Sequence, residues 1–353
     1  MKKIFIYALS TALLTGCHTG NRSPQATPLL DLGQAVPLSA EVCWEYMATP
    51  FESLALDGEQ LLAFQGHQAS HHIIWLLDAN NGDRIDAFLD SGHGPGEVSS
   101  DVKYWGLLPA KGELWFSTIF PPCVYRWKKT PVGRWEYAES HRMQYQRMTI
   151  FTVSGGTILE NGCLVANNTV NYPGKQSPVM VIDTAWNILQ RLPIFSGTEV
   201  ESRVRVNGLR VSAGNTYQGV LASHGRHFAF GLEDAGYLAF YEMGRDGQAS
   251  RLWEYFTAEP KYTNEGRFSF TTPGRFHDLK MTENFLFAAY LGEKTSETVD
   301  YSDLLVFNHK GRLLHRYRLD RQVRAIAVSP DGRKLYASVT NPETGIAVYQ
   351  LPL

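Results

Sequence analysis

One four-strand pattern recurs six times, no amphipathic helix follows the leader, and Asp, Asn and Gly punctuate short apolar runs along the chain. These three observations predict an all-β fold of six small sheets arranged radially, a six-bladed β-propeller with four-stranded blades. A sandwich or jelly roll has no need of six copies of one meander.

The leader stands apart from the repeats. In "MKKIFIYALSTALLTGC", Lys2 and Lys3 precede an apolar run, Ile4 to Leu14, that is too short to span a bilayer. It ends in Leu14-Thr15-Gly16-Cys17, which resembles a bacterial lipobox. That resemblance implies cleavage before Cys17 and lipid on its thiol and new amino group, anchoring the protein without a spanning helix. Residues 1–16 are thus expected to be a signal peptide, 17–34 a flexible tether and 35–353 the propeller. The polar run after Cys17, "HTGNRSPQATP", carries no acidic residue, which favours the periplasmic side of the outer membrane over the cell surface.

The blades follow in order. Blade one is "SLALDGEQLLAFQG" with "IIWLLDANNGDRIDAFL", and blade two is "WGLLPAKGELWFST" with "CVYRWKKTPVGRWEYA". Blade three is "TILENGCLVANN" with "PVMVIDTAWNILQRLPI", and blade four is "GVLASHGRHFAFGLED" with "YLAFYEMGRDGQASRLWEY". Blade five is "DLKMTENFLFAAYLGE" with "DLLVFNHKGRLLHRYRL". The first strands begin near Leu54, Trp105, Thr157, Gly219, Asp278 and Ala325, a period of 47 to 62 residues. The sixth unit, "RAIAVSPDGRKLYASV" with "GIAVYQL", supplies three strands before Leu353. Its fourth is expected from "AVPLSAEVCW", residues 35–44, so that the two chain ends share one sheet and no edge is left open.

Composition narrows the partners. Lys plus Arg (33) nearly balances Asp plus Glu (35), and no block of like charge occurs, so no nucleic-acid partner is expected. With Cys17 lipidated, Cys43, Cys123 and Cys163 remain, an odd number that excludes complete internal pairing. Buried thiols or a single Cys123–Cys163 bond both fit. Their spacing matches no zinc motif, and no cofactor is expected.

Between blades one and two lies "DSGHGPGEVSS", residues 90–100. A phosphate-cradling loop opens a helix whose first N–H groups face the anion, whereas here the β-like "VKYWGLL" follows. Gly92, Gly94, Pro95 and Gly96 are therefore read as turn residues at an inter-blade crossing. The stretch "SGHGPGEV" also resembles the Gly-x-Gly-Pro-Gly-Glu signature of TolB-like six-bladed propeller lipoproteins of Bacteroidetes. The blade-five pattern is similar to that family's late blades, and the likeness spans residues 50–353. It implies fold and envelope location but carries over no site residues. Ser91 and His93 stand where the family has a basic residue ahead of the motif.

Several clusters hold residues capable of chemistry. His67, His71 and His72 lie close together without Asp, Glu or Cys to complete a metal shell, and a solvated loop is expected. Glu297, Asp300 and Asp303 lack EF-hand spacing and read as a polar turn. His277-Asp278 with Ser269 lacks a nucleophile elbow. The two longest inter-blade connections, 195–217 and 257–275, should gather over one channel mouth. Arg203, Arg205, Arg210, Tyr262, Arg267, Arg275 and His277 in or next to them are the candidate ligand-binding set, since guanidinium forks and aromatic faces suit an anionic or sugar-like ligand. The alternative is that these connections only cap the channel, with the arginines paired to Glu199, Glu201 and Glu265.

The sequence thus points to a lipid-anchored envelope propeller, a non-enzymatic binder of a small molecule, glycan or envelope protein at its channel mouth. A propeller hydrolase or lyase acting at the same mouth is the second reading.

Overall fold

The structure, a computed structural model, describes residues 27–46, 50–65, 72–92, 97–98, 102–118, 123–142, 153–168, 179–194, 203–206, 209–212, 218–233, 235–261, 272–292, 299–341 and 343–353. The N-terminal part gives two short strands, β1 (Val36–Leu38) and β2 (Val42–Glu45). Blade one is β3 (Ser53–Asp57), β4 (Gln60–Phe64), β5 (His72–Asp78) and β6 (Arg84–Asp90). Blade two is β7 (Val102–Leu108), β8 (Glu113–Thr118), β9 (Cys123–Lys129) and β10 (Trp135–Arg142). Blade three is β11 (Val153–Ile158), β12 (Leu164–Asn168), β13 (Val179–Ile182) and β14 (Ile188–Leu192). A separate hairpin, β15 (Arg203–Val206) and β16 (Leu209–Ser212), precedes blade four. Blade four is β17 (Gly219–His224), β18 (His227–Leu232), β19 (Tyr237–Met243) and β20 (Ala249–Phe256). Blade five is β21 (Arg275–Met281), β22 (Phe285–Leu291), β23 (Ser302–Asn308) and β24 (Leu313–Leu319). Blade six has β25 (Gln322–Val328), β26 (Lys334–Asn341) and β27 (Gly345–Gln350), completed by β2.

Each blade is an antiparallel meander, and the first strands β3, β7, β11, β17, β21 and β25 touch in succession until β25 returns to β3. They line a central channel. The core is divided accordingly, with one buried apolar cluster at each of the six blade interfaces. Strand periodicity explains the division. In β22, Phe287 and Ala289 face blade six, while Leu286, Ala288 and Tyr290 face blade four. A strand buried on both faces reads as an unbroken apolar run, which is why "FLFAAYL" does not alternate with polar residues.

The chain ends do share a sheet: β2 pairs antiparallel with β27, Val42 opposite Val348 and Cys43 opposite Ala347. The closure is locked onto blade one. Gly82, in the left-handed region at φ 81°, lies so close to Trp44 that a Cβ there would fall 2.4 Å from the indole. The Tyr46 hydroxyl donates to the Gly82 carbonyl at 2.5 Å.

The expected closing segment, residues 35–44, divides its work between two blades. Only its second half completes blade six, while Val36–Leu38 adds a parallel fifth strand to blade five along Tyr317–Leu319. Further upstream, Leu29 bridges Phe256 of blade four. The Thr27 hydroxyl donates to Glu254 at 3.1 Å, eight residues before the expected start of the folded domain. A strap from Thr27 to Tyr46 thus runs along the outer edges of blades four, five and six, satisfying edge groups that would otherwise be open. Cys43, Cys123 and Cys163 are free thiols, so Cys123 and Cys163 are not joined.

Candidate functional site at the upper mouth of the channel

The channel has two mouths, here called upper where the first strands begin and lower where they end. The upper mouth is a cavity of about 270 Å³, and the lower one of about 390 Å³. Tyr104, Leu221 and Lys280 line both, marking a waist between them. There the Lys280 ammonium lies 5.4 Å from the Tyr104 ring.

The upper mouth is polar. Its wall includes Glu52, Lys103, Arg275, His277, Asp278 and Arg324, set on or beside four different inner strands. A charged side chain on such a strand is tolerated because the channel is the one direction in which it meets solvent rather than a neighbouring blade. Asp278 is fully engaged: its carboxylate accepts from the backbone N–H of Leu279 at 2.8 Å and of Ile326 at 2.9 Å. The Lys280 ammonium donates to the same group at 2.8 Å. Asp278 therefore ties blade five to blade six and fixes Lys280. Glu52 of blade one forms an ion pair with Arg324 of blade six.

His277 is half-buried, and burial together with the Arg275 and Arg324 guanidiniums pushes its imidazole down to about 4. It is neutral near pH 7, and its buried Nε2 has no hydrogen-bond partner among the described residues. The side chain of Lys103, half-buried on β7, has no ion-pair or hydrogen-bond partner among the described residues.

Of the residues the sequence singled out, the structure brings Arg275 and His277 together at this mouth. Arg203, Arg205 and Arg210 fall on the separate hairpin, with Arg205 directly opposite Arg210. Tyr262 and Arg267 lie outside the described residues, as do Ser269, Cys17, His67, His71 and Glu297. Sequence reasoning missed Lys103, Lys280, Arg324 and Glu52. The available signal was a charge inside an apolar first strand, as in "VKYWGLL", "RFHDLKM" and "QVRAIAV".

The other clusters have structural occupations. Gly94, Pro95 and Gly96 of the loop after blade one lie outside the described residues; its ends are tied by Gly92 N–H to Val98 O and Val98 N–H to Asp90 O, both 2.9 Å, and the strand β7 follows. His72 Nδ1 lies 2.5 Å from Asp90. Asp303, expected in a polar turn, instead lies on β23, where it is buried and held by Arg316 at 2.5 Å and Arg318 at 3.1 Å. Among the described residues, no group of three His, Cys, Asp or Glu side chains is placed to hold a metal ion.

Comparison with known proteins agrees on anchor and fold. Residues 1–17 match the family model of the prokaryotic membrane lipoprotein lipid attachment site. A member of the DUF4221 family from Bacteroides vulgatus superposes with a TM-score of 0.58 at 11% identity, over 90% of this chain and 97% of that one. A protein of Bacteroides fragilis described as exported gives 0.55 at 11% identity, over 92% and 93%. The β-propeller domain of Cps50 (Swd1) from Myceliophteria thermophila gives 0.50 at 10% identity, over 89% and 100%. No curated protein matches the sequence. The chain is a six-bladed β-propeller carrying a lipoprotein attachment site at Cys17, which assigns it to the cell envelope.

Proposed function

We propose that this lipoprotein is a non-enzymatic binding module of the TolB-like kind, taking a small molecule, a glycan or part of an envelope protein at its upper mouth. Acyl chains on Cys17, palmitate among them, hold it in the outer membrane with the propeller on the periplasmic side. The observation that carries the reading is the state of the charges. Asp278 is committed to Lys280 and two backbone N–H groups, and Glu52 to Arg324. Carboxylates held this way position a site rather than shuttle protons, and Asp278 has no oxygen to spare for orienting His277 as a base. Rigid inner strands are a suitable frame for a preorganised recognition site.

A thermal-shift screen of sugars, metals and anions on the full-length lipoprotein in detergent micelles tests this. A specific ligand raises the melting temperature with occupancy, by about 2.7 kcal/mol of added stability at a hundredfold excess over Kd. The blocking variant Gly155→Trp provides the control, because among the described residues a Cβ at Gly155 would meet nothing nearer than the Gly219 carbonyl at 3.8 Å. The ligand-induced shift is expected to vanish in that variant. Equal shifts in both proteins would place binding elsewhere.

A further inference from the structure

Among the described residues, the charges of the upper mouth do not cancel. Lys280 with Asp278 and Arg324 with Glu52 form neutral pairs. Arg275 and Glu233 stand on the wall as a further cation and anion, each with partners of its own, and the Lys103 ammonium has no counter-charge among the described residues. An ammonium partly withdrawn from water and lacking a carboxylate is unfavourable in the empty site, and a bound anion removes that cost. Lys103 sits on blade two, whose side chains reach those of blade five across the channel, as Tyr104 and Lys280 do. Lys103 itself lines the cavity, so a group seated on it is within the channel mouth.

The wall around it selects further. Gly155, Gly156 and Gly219 present peptide groups without side chains, and Ser53 and Gln218 add polar atoms. Such a surface hydrogen-bonds hydroxyls better than it packs alkyl chains. The volume, about 270 Å³, is below the roughly 300 to 1,000 Å³ usual for drug-sized ligands and suits a single sugar ring.

Resting on the reading of the upper mouth as a binding site, we infer that its ligand is a carboxylate-bearing polyhydroxylated molecule of monosaccharide size, a uronic acid, with the carboxylate seated on Lys103. The His277 imidazole on the same wall is depressed first by burial and then by the positive charges of Arg275 and Arg324. The ring hydroxyls meet the glycine-lined wall of blades three and four.

The test is calorimetric titration of the full-length lipoprotein in detergent micelles with D-glucuronate, D-glucose and chloride. Glucuronate is expected to bind, with glucose weaker by about tenfold or more and chloride silent. Lys103→Gln should cost glucuronate about tenfold while leaving glucose unchanged, and Lys103→Arg should keep most of the affinity. Equal melting temperatures for the two variants verify that both fold. A glucuronate-ended oligosaccharide distinguishes a free acid from a chain terminus as the source of the group.

Equal affinity for glucose and glucuronate, with Lys103→Gln inert and Gly155→Trp abolishing both, would overturn the carboxylate assignment and leave the mouth as a binding site. Glucuronate binding that survives Gly155→Trp would overturn both readings. Absence of heat from glucuronate at millimolar concentration would also overturn the assignment.

Discussion

Lys280 of blade five places its ammonium 5.4 Å from the centroid of the Tyr104 ring in blade two, so side chains from opposite sides of the ring meet and narrow the channel. Lys280 reaches that position because Asp278, two residues earlier on the same strand, holds it at 2.8 Å. The Tyr104 phenol, withdrawn from water and near the Asp278 carboxylate, has its pKa raised and stays neutral. The waist is thus a cation laid on a neutral ring, pinned from one side.

Removing the pin has a stated cost. Asp278→Ala strands the N–H groups of Leu279 and Ile326 together with the Lys280 ammonium. Urea unfolding is expected to register a loss of about 2 to 4 kcal/mol. Asp278→Asn, which keeps an acceptor oxygen, should lose less. A change below about 0.5 kcal/mol in the alanine variant would show that Asp278 ties nothing together.

The mouth also has an acid limb. His277 titrates near 4 when folded, because burial and the charges of Arg275 and Arg324 disfavour its proton, whereas its ordinary value is 6.5. The unfolded chain therefore binds more protons between those values. The contribution is present above about pH 6.5 and is lost as pH falls through about 4. Its size is about 2 kcal/mol, allowing for partial exposure. His277→Gln should flatten that part of the stability–pH curve, and the imidazole C–H resonance should shift near pH 4 and not near 6.5.

Closure can be probed at one tight contact. Gly82→Ala forces a left-handed backbone on alanine and drives its Cβ into the Trp44 indole, while Trp44→Ala removes the indole and leaves space. Each single change should destabilise, the first by about 1 to 3 kcal/mol and the second by about 3. The double variant should be more stable than the sum of the two by at least about 0.5 kcal/mol, since the overlap is then relieved. Strict additivity would mean that Trp44 does not pack on blade one.

Much of the architecture was legible because strands buried on both faces leave apolar runs with Asp, Asn and Gly between them, and that pattern repeats. The strap was only half legible. "VPL" is three residues with a proline, and its pairing with Tyr317–Leu319 depends on which edge it passes, information that no local pattern holds. The hairpin of β15 and β16 did have a signal: Asn207-Gly208 between alternating Arg and Val is a strong turn motif, yet the segment reads as one long connection when length alone is weighed. For the mouth, attention to long connections found Arg275 and His277. Lys103, Lys280 and Arg324 required knowing that the first strand of every blade faces a channel.

The most direct test of the ring uses a thiol the chain already has. Cys43 on β2 stands opposite Ala347 on β27, and both belong to the apolar cluster between blades five and six. Cross-strand neighbours approach to about 4.5 to 5.5 Å between Cβ atoms, close enough for a disulfide with small adjustment. After oxidation of the Ala347→Cys variant, thiol titration of the unfolded, non-reduced chain should find only Cys123 and Cys163, with a mass two hydrogens lower. If Cys43 and the introduced thiol both stay titratable, closure of the propeller by its two ends is contradicted.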